Sequence, residues 1–205
     1  MSTLISSEKR SDHGSFTLRS PRREEGYAIR QLVEQCPPLD VNSTYAYMLL
    51  GEHFASTSVV AQDASGIVGL VSAYRHPEKP HVLFVWQVAV HPSARGHGLA
   101  GRMLKHILRR PAARSIRYVQ TTVGPENAGS RATFARLALL LDTSIQEQAM
   151  FGPELFGPGN HEEERLLSIG PFEPLTPRMP AQPQRPARIP DAGRLPAAAR
   201  PSTYQ

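Results

Sequence analysis

Val88-Ala89-Val90-His91-Pro92-Ser93-Ala94-Arg95-Gly96-His97-Gly98-Leu99-Ala100-Gly101-Arg102-Met103-Leu104 is the stretch that decides the fold. An apolar, β-branched run stops at His91-Pro92. A short glycine-rich loop follows, and a helix opens behind it. A loop of this kind presents backbone N–H groups at a helix N-terminus, where the macrodipole favours anions. Glycines at 96, 98 and 101 let the backbone approach a ligand without Cβ interference. Arg95 adds a charge-assisted donor. The stretch is a cradle for a phosphate-bearing molecule.

Spacing separates the loops that use such a cradle. A nucleotide P-loop needs Lys and then Ser or Thr after the last glycine; Arg102-Met103 stands there instead. The G-x-G-x-x-G of dinucleotide folds is met at 96, 98 and 101, but it calls for an acidic residue about 20 residues on. Tyr118-Val119-Gln120-Thr121 supplies none. The third pattern, Arg-x-x-Gly-x-Ala, is met by Arg95, Gly98 and Ala100. It resembles the acyl-coenzyme-A loop of the GCN5-related N-acetyltransferases (GNAT), in which the loop holds the pyrophosphate of acetyl-CoA. The resemblance implies that Arg95, Gly96, His97, Gly98, Leu99, Ala100 and Gly101 bind that cosubstrate.

Composition narrows the class. The chain has 205 residues, room for one domain with extensions. It has no run of about 20 apolar residues, hence no expected membrane span. Lys9 and Arg10 are not followed by an apolar segment, so no secretory signal is expected. Cys36 is the single cysteine, which excludes an internal disulfide and suits a cytoplasmic protein. Its place before Pro37-Pro38 favours packing over catalysis. The eight histidines show no zinc-site spacing, so no metal is expected. Ser72, Ser93 and Ser130 lack a nucleophile-elbow setting. The net charge of +5 is concentrated in the tail, where Arg178, Arg185, Arg188, Arg194 and Arg200 face only Glu173 and Asp191. The globular part is nearly balanced, which argues against a nucleic-acid surface.

Residues 1–15 read as a flexible polar arm. Residues 173–205, rich in Pro, Arg and Ala, read as a disordered or PPII-like tail. Between them, 16–172 alternates strands and helices. Strands are expected at Phe16–Arg19, Ser58–Gln62, Ile67–Tyr74, Val82–Val90, Tyr118–Val123, Gln146–Met150 and Arg165–Ile169. Helices are expected at Tyr27–Gln35, from Ser43 or Thr44 to Phe54, at Leu99–Arg110 and at Ala128–Leu141. In the third helix Ala100, Met103, Leu104 and Ile107 share a face, with Arg102, Lys105, His106 and Arg109 outward. In the fourth, Phe134, Leu137, Ala138 and Leu141 form the stripe. The order is that of the GNAT fold: an α/β (α+β) domain with a mixed, mostly antiparallel twisted sheet, splayed between strands 4 and 5 and flanked by helices.

In that fold the splayed strands expose main-chain groups. The resemblance implies that the backbone of Val88, Ala89 and Val90 pairs with the pantetheine arm as an added strand would. An N–H there can also polarise the thioester carbonyl. Asn127 opens the fourth helix as an N-cap, and the resemblance adds a contact to pantetheine. Many relatives carry a Tyr seven residues later as acid toward the departing thiolate. Phe134 stands here, so water or another residue must take that role.

Three further segments narrow the resemblance: Leu39-Asp40-Val41-Asn42-Ser43-Thr44-Tyr45-Ala46-Tyr47, Phe84-Val85-Trp86-Gln87-Val88-Ala89-Val90 and His161-Glu162-Glu163-Glu164. Together they are similar to the diaminobutyrate acetyltransferases of ectoine biosynthesis. The resemblance runs from Phe16 to Phe172. It implies transfer of acetyl from acetyl-CoA to the γ-amine of L-2,4-diaminobutyrate, a homodimer, and an acceptor pocket holding Asp40, Tyr45, Trp86, His161 and Glu164. The residue types fit a small diamine. Carboxylates orient ammonium groups, and the attacking amine must lose a proton. Trp86 offers an apolar wall and a cation–π face, while Tyr45 and His161 can donate hydrogen bonds. Each also has a plainer reading: Asp40 as a turn residue, Tyr45 and Trp86 as packing, His161 and Glu162–Glu164 as a solvated loop. The base is open between a carboxylate and a water chain. Two rival functions stay open, the same fold acting on another small amine and a non-catalytic acyl-CoA-binding regulatory module.

Overall fold

The computed structural model describes residues 15–158 and 161–175. The expected arm, apart from Ser15, and the tail beyond Leu175 lie outside the described residues. Seven strands form one sheet: β1 Thr17–Arg19, β2 Val59–Asp63, β3 Gly66–Arg75, β4 Val82–Val90, β5 Tyr118–Val123, β6 Ile145–Phe151 and β7 Glu164–Ile169. Four helices flank it: α1 Gly26–Glu34, α2 Thr44–Glu52, α3 Leu99–Leu108 and α4 Ala128–Leu140. The strand order is β1-β2-β3-β4-β5-β7-β6. Every pairing is antiparallel except β4 with β5.

The parallel pairing is short. It joins Val82 to Tyr118, Leu83 to Val119 and Phe84 to Gln120. Beyond it β4 continues against β3 alone, and Thr121–Val123 of β5 against β7 alone. This is the expected splay. The two strands leave a wedge whose main-chain groups have no sheet partner across it.

A bulge sets which β4 side chains face the wedge. Ser72 lies opposite Gln87 and Ala73 opposite Val85, which leaves Trp86 without a partner on β3. A one-residue insertion reverses side-chain parity. Leu83 and Val85 pack into the core under α3 and α4, and past the bulge Val88 and Val90 pack against it. Ala89 joins the second core, beneath α1 and α2, with Ile29, Leu32, Val33, Tyr47 and Leu50. Met103, Leu104 and Ile107 of α3 are fully buried with Phe134 and Leu137 of α4. Truncating such a side chain to alanine costs about 2–5 kcal/mol.

Element ends differ from expectation for local reasons. Phe16 precedes β1 and instead lies edge-on to His97 and beneath Arg102. α3 stops at Leu108 because Pro111 drives Arg110 to an extended conformation, φ −73° and ψ 150°. Arg110 then turns inward and donates to the carbonyls of Ala55, Ser56 and Ser58 at 3.1, 3.0 and 2.7 Å. Its burial lowers its pKa. Arg109, expected to face outward, is half-buried, and Leu99 and Leu108 extend the apolar face. Leu175 still packs on the core, just past the expected domain end at Phe172.

Candidate active site

Two clefts meet in the wedge. The smaller, about 490 Å³, runs along the loop before α3. It is lined by Val88, Val90, Arg95, Gly96, Gly98, Leu99, Ala100, Gly101 and Asn127 among others. Gly96 and Gly98 hold φ of +82° and +63°, a backbone region that side chains disfavour. A Cβ at either position would meet nothing within 4 Å, so both face open space. Gly98 is the N-cap of α3 and has no side chain to take its first-turn amides. These donors and Arg95 match the oxygens of a diphosphate, so the site fits acetyl-CoA.

The other expected cofactor residues fall as follows. Ala89 turns its side chain into the second core. His97 lies outside the cleft lining, and its Nδ1–H donates to the Arg95 carbonyl at 2.9 Å. Asn127 caps α4, its Oδ1 accepting from the Ser130 amide at 3.0 Å. Sequence reasoning missed Gly129, Ser130, Thr133 and Arg136, which carry the lining along α4. Their spacing of three to four residues is the only signal that gives them one face. Cys36 is buried at the cleft edge. Burial pushes its thiol pKa up, and Arg95 acts against that.

The larger cleft, about 1010 Å³, lies between the β4–β5 opening, the loop after α1 and the start of β7. Asp40, Trp86, His161 and Glu164 all line it. The bulge leaves Trp86 47% exposed on a strand whose other residues are buried or half-buried. Among the described residues, Oε2 of Glu164 is buried without a hydrogen-bond partner, an acceptor whose desolvation none of them offsets. Glu162 differs, since its Oε2 accepts from the Glu126 amide at 3.2 Å. The His161 ring stacks on Phe156 with centroids 3.7 Å apart. Its Nδ1–H donates to the Glu162 carbonyl at 2.7 Å.

Tyr45 is not among the residues lining either cleft and is 67% exposed. Ser43 caps α2 through the Ala46 amide, and Tyr47 turns inward. Two residues earlier is about 200° round the helix, which puts Tyr45 on the outer face. Tyr47 and Gln87 were not singled out from sequence, yet Gln87 lines this cleft and the buried Tyr47 hydroxyl donates to its Oε1 at 3.4 Å. Gln87 Nε2 donates to the Asp40 carbonyl at 2.7 Å.

Pro38, Leu39, Val88, Asn127, Ser130 and Phe134 line both clefts. A molecule filling the smaller cleft ends at the side of one filling the larger. That arrangement suits transfer of a group between two bound molecules.

Residues 26–138 match the family model for acetyltransferases of the GNAT family. An L-2,4-diaminobutyric acid acetyltransferase of Bordetella parapertussis is 56% identical over 158 residues, covering 77% of this chain and 85% of that one. The enzyme of that name from Methylotuvimicrobium alcaliphilum is 46% identical, covering 77% and 92%. The chain belongs to the GNAT family, among the L-2,4-diaminobutyric acid acetyltransferases. The structure of the diaminobutyrate acetyltransferase EctA of Paenibacillus lautus, solved with its substrate L-2,4-diaminobutyric acid and coenzyme A, superposes on this acetyltransferase with a TM-score of 0.76. It is 39% identical and covers 78% of this chain and 96% of its own. Among the described residues of this acetyltransferase no group of three or more His, Cys, Asp or Glu is placed to hold a metal ion. No helix among them is long and apolar enough to cross a membrane.

Proposed function

We propose that this acetyltransferase moves the acetyl group of acetyl-CoA to the 4-amino nitrogen of L-2,4-diaminobutyrate, giving N4-acetyl-L-2,4-diaminobutyrate for ectoine biosynthesis. The observation that carries the reading is the buried Glu164 oxygen, without a partner among the described residues, in a cleft that shares a wall with the acyl-CoA cleft. An ammonium group of the diamine is the ligand such an atom lacks.

The loop Arg95–Gly101 and Asn127 hold the cosubstrate, and the main chain of Val88, Ala89 and Val90 pairs with its pantetheine arm. Asp40 and Glu164 bind and orient the two amines. Trp86 walls the aliphatic chain, and His161 borders the same space. Tyr45 is kept as a candidate only for a role on the outer rim. The amine loses one proton to a cleft carboxylate or its water. It then attacks the thioester carbon, and a backbone N–H of the Val88–Val90 segment donates to the carbonyl oxygen as negative charge develops on it. The C–S bond breaks, leaving the amide and the thiolate of coenzyme A. The thiolate takes the second proton of the nitrogen. Phe134 has none to give, and Ser130, one turn earlier, is the hydroxyl side chain lining both clefts.

The same reading includes a homodimer and a cytoplasmic location. Among the described strands β6 lies at an edge of the sheet, carrying exposed Met150 and Phe151, followed by exposed Leu155 and Phe156. Such an edge favours pairing with a second copy, which light scattering on the purified protein tests. The single cysteine and the use of acetyl-CoA suit the cytoplasm.

The test of function is thiol release from acetyl-CoA with L-2,4-diaminobutyrate, beside ornithine, lysine, putrescine and glucosamine, with the acetylated nitrogen assigned by NMR. Selective turnover at the γ-nitrogen is expected. Turnover only with another amine discards the pathway and keeps the fold. Acetyl-CoA binding without turnover on any amine favours a regulatory module.

A further inference from the structure

The loop between α1 and α2 borders both clefts. Its first part, Cys36 and Pro37, lines the acyl-CoA cleft, and its last part, Asp40 and Asn42, lines the amine cleft. Sequence alone marks it as a turn after two prolines, with nothing to fix where Asp40 points. The structure fixes it from below, through a side chain on the strand beneath. Gln87 is 6% exposed, on a strand of otherwise apolar inward residues. Its Nε2 donates to the Asp40 carbonyl at 2.7 Å. Its Oε1 accepts from the Tyr47 hydroxyl at 3.4 Å. That hydroxyl oxygen in turn accepts from the Asn42 amide at 3.1 Å.

The donor directions in this relay are forced. The Asp40 carbonyl can only accept and the Asn42 amide can only donate. The amide of Gln87 therefore has one orientation, and the relay closes with every buried polar atom in it used. A buried glutamine on a strand is expensive unless both ends are satisfied. Here both ends are spent on clasping the two sides of one turn, Asp40 on one and Asn42 on the other. The bulge at Trp86 puts Gln87 on this face, because without it the parity of β4 would present the opposite side. Far from the clasp, His91 Nε2–H donates to Gln35 Oε1 at 2.7 Å and anchors the start of the same loop to the end of β4.

We infer that Gln87, acting with the Tyr47 hydroxyl, is a positioning residue for the amine substrate: it holds the Asp40–Asn42 turn at the height where the Asp40 carboxylate meets an ammonium group. The inference rests on the reading of the larger cleft as an amine site. Gln87 borders the amine cleft and not the acyl-CoA cleft, so its loss acts on amine binding and leaves the cosubstrate site as it was.

Three variants test this: Gln87→Met, which keeps length and apolar volume; Gln87→Glu, which keeps an acceptor for Tyr47 but loses the donor to Asp40; and Tyr47→Phe, which keeps the buried ring. Steady-state kinetics are measured against the amine and against acetyl-CoA separately, with thermal melts alongside. Gln87→Met and Gln87→Glu are expected to raise KM for the amine about tenfold, the effect of one lost hydrogen bond to a placed group. KM for acetyl-CoA stays within about twofold, because the interactions removed do not reach that cleft. Tyr47→Phe gives a smaller rise in the same constant, and the double variant Gln87→Met/Tyr47→Phe shows no more than Gln87→Met alone, as members of one relay do. An unchanged amine KM in all variants overturns the inference. So does an equal rise in both KM values, or a fall in kcat and melting temperature with both KM values intact, since those are the marks of a residue that only packs. Because Tyr47→Phe retains the buried ring, it keeps the test informative if the Gln87 variants fold poorly. Wild-type turnover separates the two levels of the argument. If the wild type does not acetylate L-2,4-diaminobutyrate, the substrate reading fails, and the Gln87 comparison is made with the amine it does accept.

Discussion

Nε of Arg95 donates to the carbonyl oxygen of Val90 at 3.2 Å. The glycine loop is thereby laced back to the strand it leaves, and the same side chain lines the acyl-CoA cleft. Arg95 fixes the cradle and charges it. Arg95→Ala is expected to raise KM for acetyl-CoA about tenfold or more, and Arg95→Lys by less, because lysine keeps the charge but loses the fork that spans strand and ligand. The amine KM stays nearly constant. Steady-state kinetics at two salt concentrations check this, with the Arg95→Ala defect shrinking as salt screens the wild-type attraction.

Gly98 and Gly101 predict opposite effects on stability from the same substitution. Gly98 sits at φ +63°, where an alanine costs about 1 kcal/mol of backbone strain and lowers the melting temperature by about 2–4 °C. Gly101 lies within α3, where alanine gains up to about 1 kcal/mol of helix propensity. Both Cβ atoms would enter the open side of the cradle. Gly98→Ala and Gly101→Ala therefore both weaken acetyl-CoA binding, while thermal melts move down for the first and up for the second. Melts of the two purified variants beside calorimetric titration with coenzyme A decide it. Two downward shifts would mean that Gly101 packs more closely than its open surroundings show.

Glu162 and Glu164 stand two residues apart and differ in what they already bind. Glu162 takes the Glu126 amide and packs against Gly124, where even a Cβ would collide with its carboxylate. Glu164 Oε2 has no partner among the described residues. Glu164→Gln is expected to cut kcat/KM for the diamine by about 100-fold, the scale of a lost charge-assisted bond. Glu162→Gln retains an oxygen for the Glu126 amide and loses much less. Equal losses in both variants, measured under amine-limiting conditions, would place the ammonium between them.

Where the sequence was legible, local chemistry sufficed. Val82–Val90 and Tyr118–Val123 are read with correct ends because β-branched runs there stop at turn residues, and α2 is read from its Ser43 cap. The α3 end was misplaced by two residues because the constraint came from Pro111 beyond it. The bulge at Trp86 was invisible, since register depends on the partner strand and not on β4 itself. The clasp of Gln87 was invisible for the same reason: a glutamine in an apolar strand has no local partner to betray its role. Family resemblance brought Asp40, Trp86, His161 and Glu164 into one cleft, but it carried Tyr45 with them, where helix phase turns that side chain outward. Arg136, exposed on α4 and lining the acyl-CoA cleft, carried no signal beyond its helical spacing from Gly129, Ser130 and Thr133.

Glu25 offers a pH-dependent prediction away from both clefts. Arg19 grips its carboxylate through NH1 at 2.9 Å and NH2 at 2.6 Å, and the Arg22 amide donates at 2.9 Å. The cluster joins β1 to the approach of α1. Burial alone would push the Glu25 carboxyl up, but the Arg19 and Arg22 bonds outweigh it and hold the pKa at about 2, against an ordinary 4.5. A carboxyl depressed in the folded state binds fewer protons there than in the unfolded chain between those two values. Its contribution to stability is therefore complete above about 4.5 and is lost as the pH falls through about 2. Water screens the cluster, so the contribution is about 1–2 kcal/mol rather than the full value of the shift. Glu25→Gln is expected to melt a few degrees below wild type near neutral pH. The gap should close as the pH is lowered from about 5 toward about 2.5, at constant ionic strength. A gap that stays the same across that range would assign Glu25 to packing and remove the charge from the account.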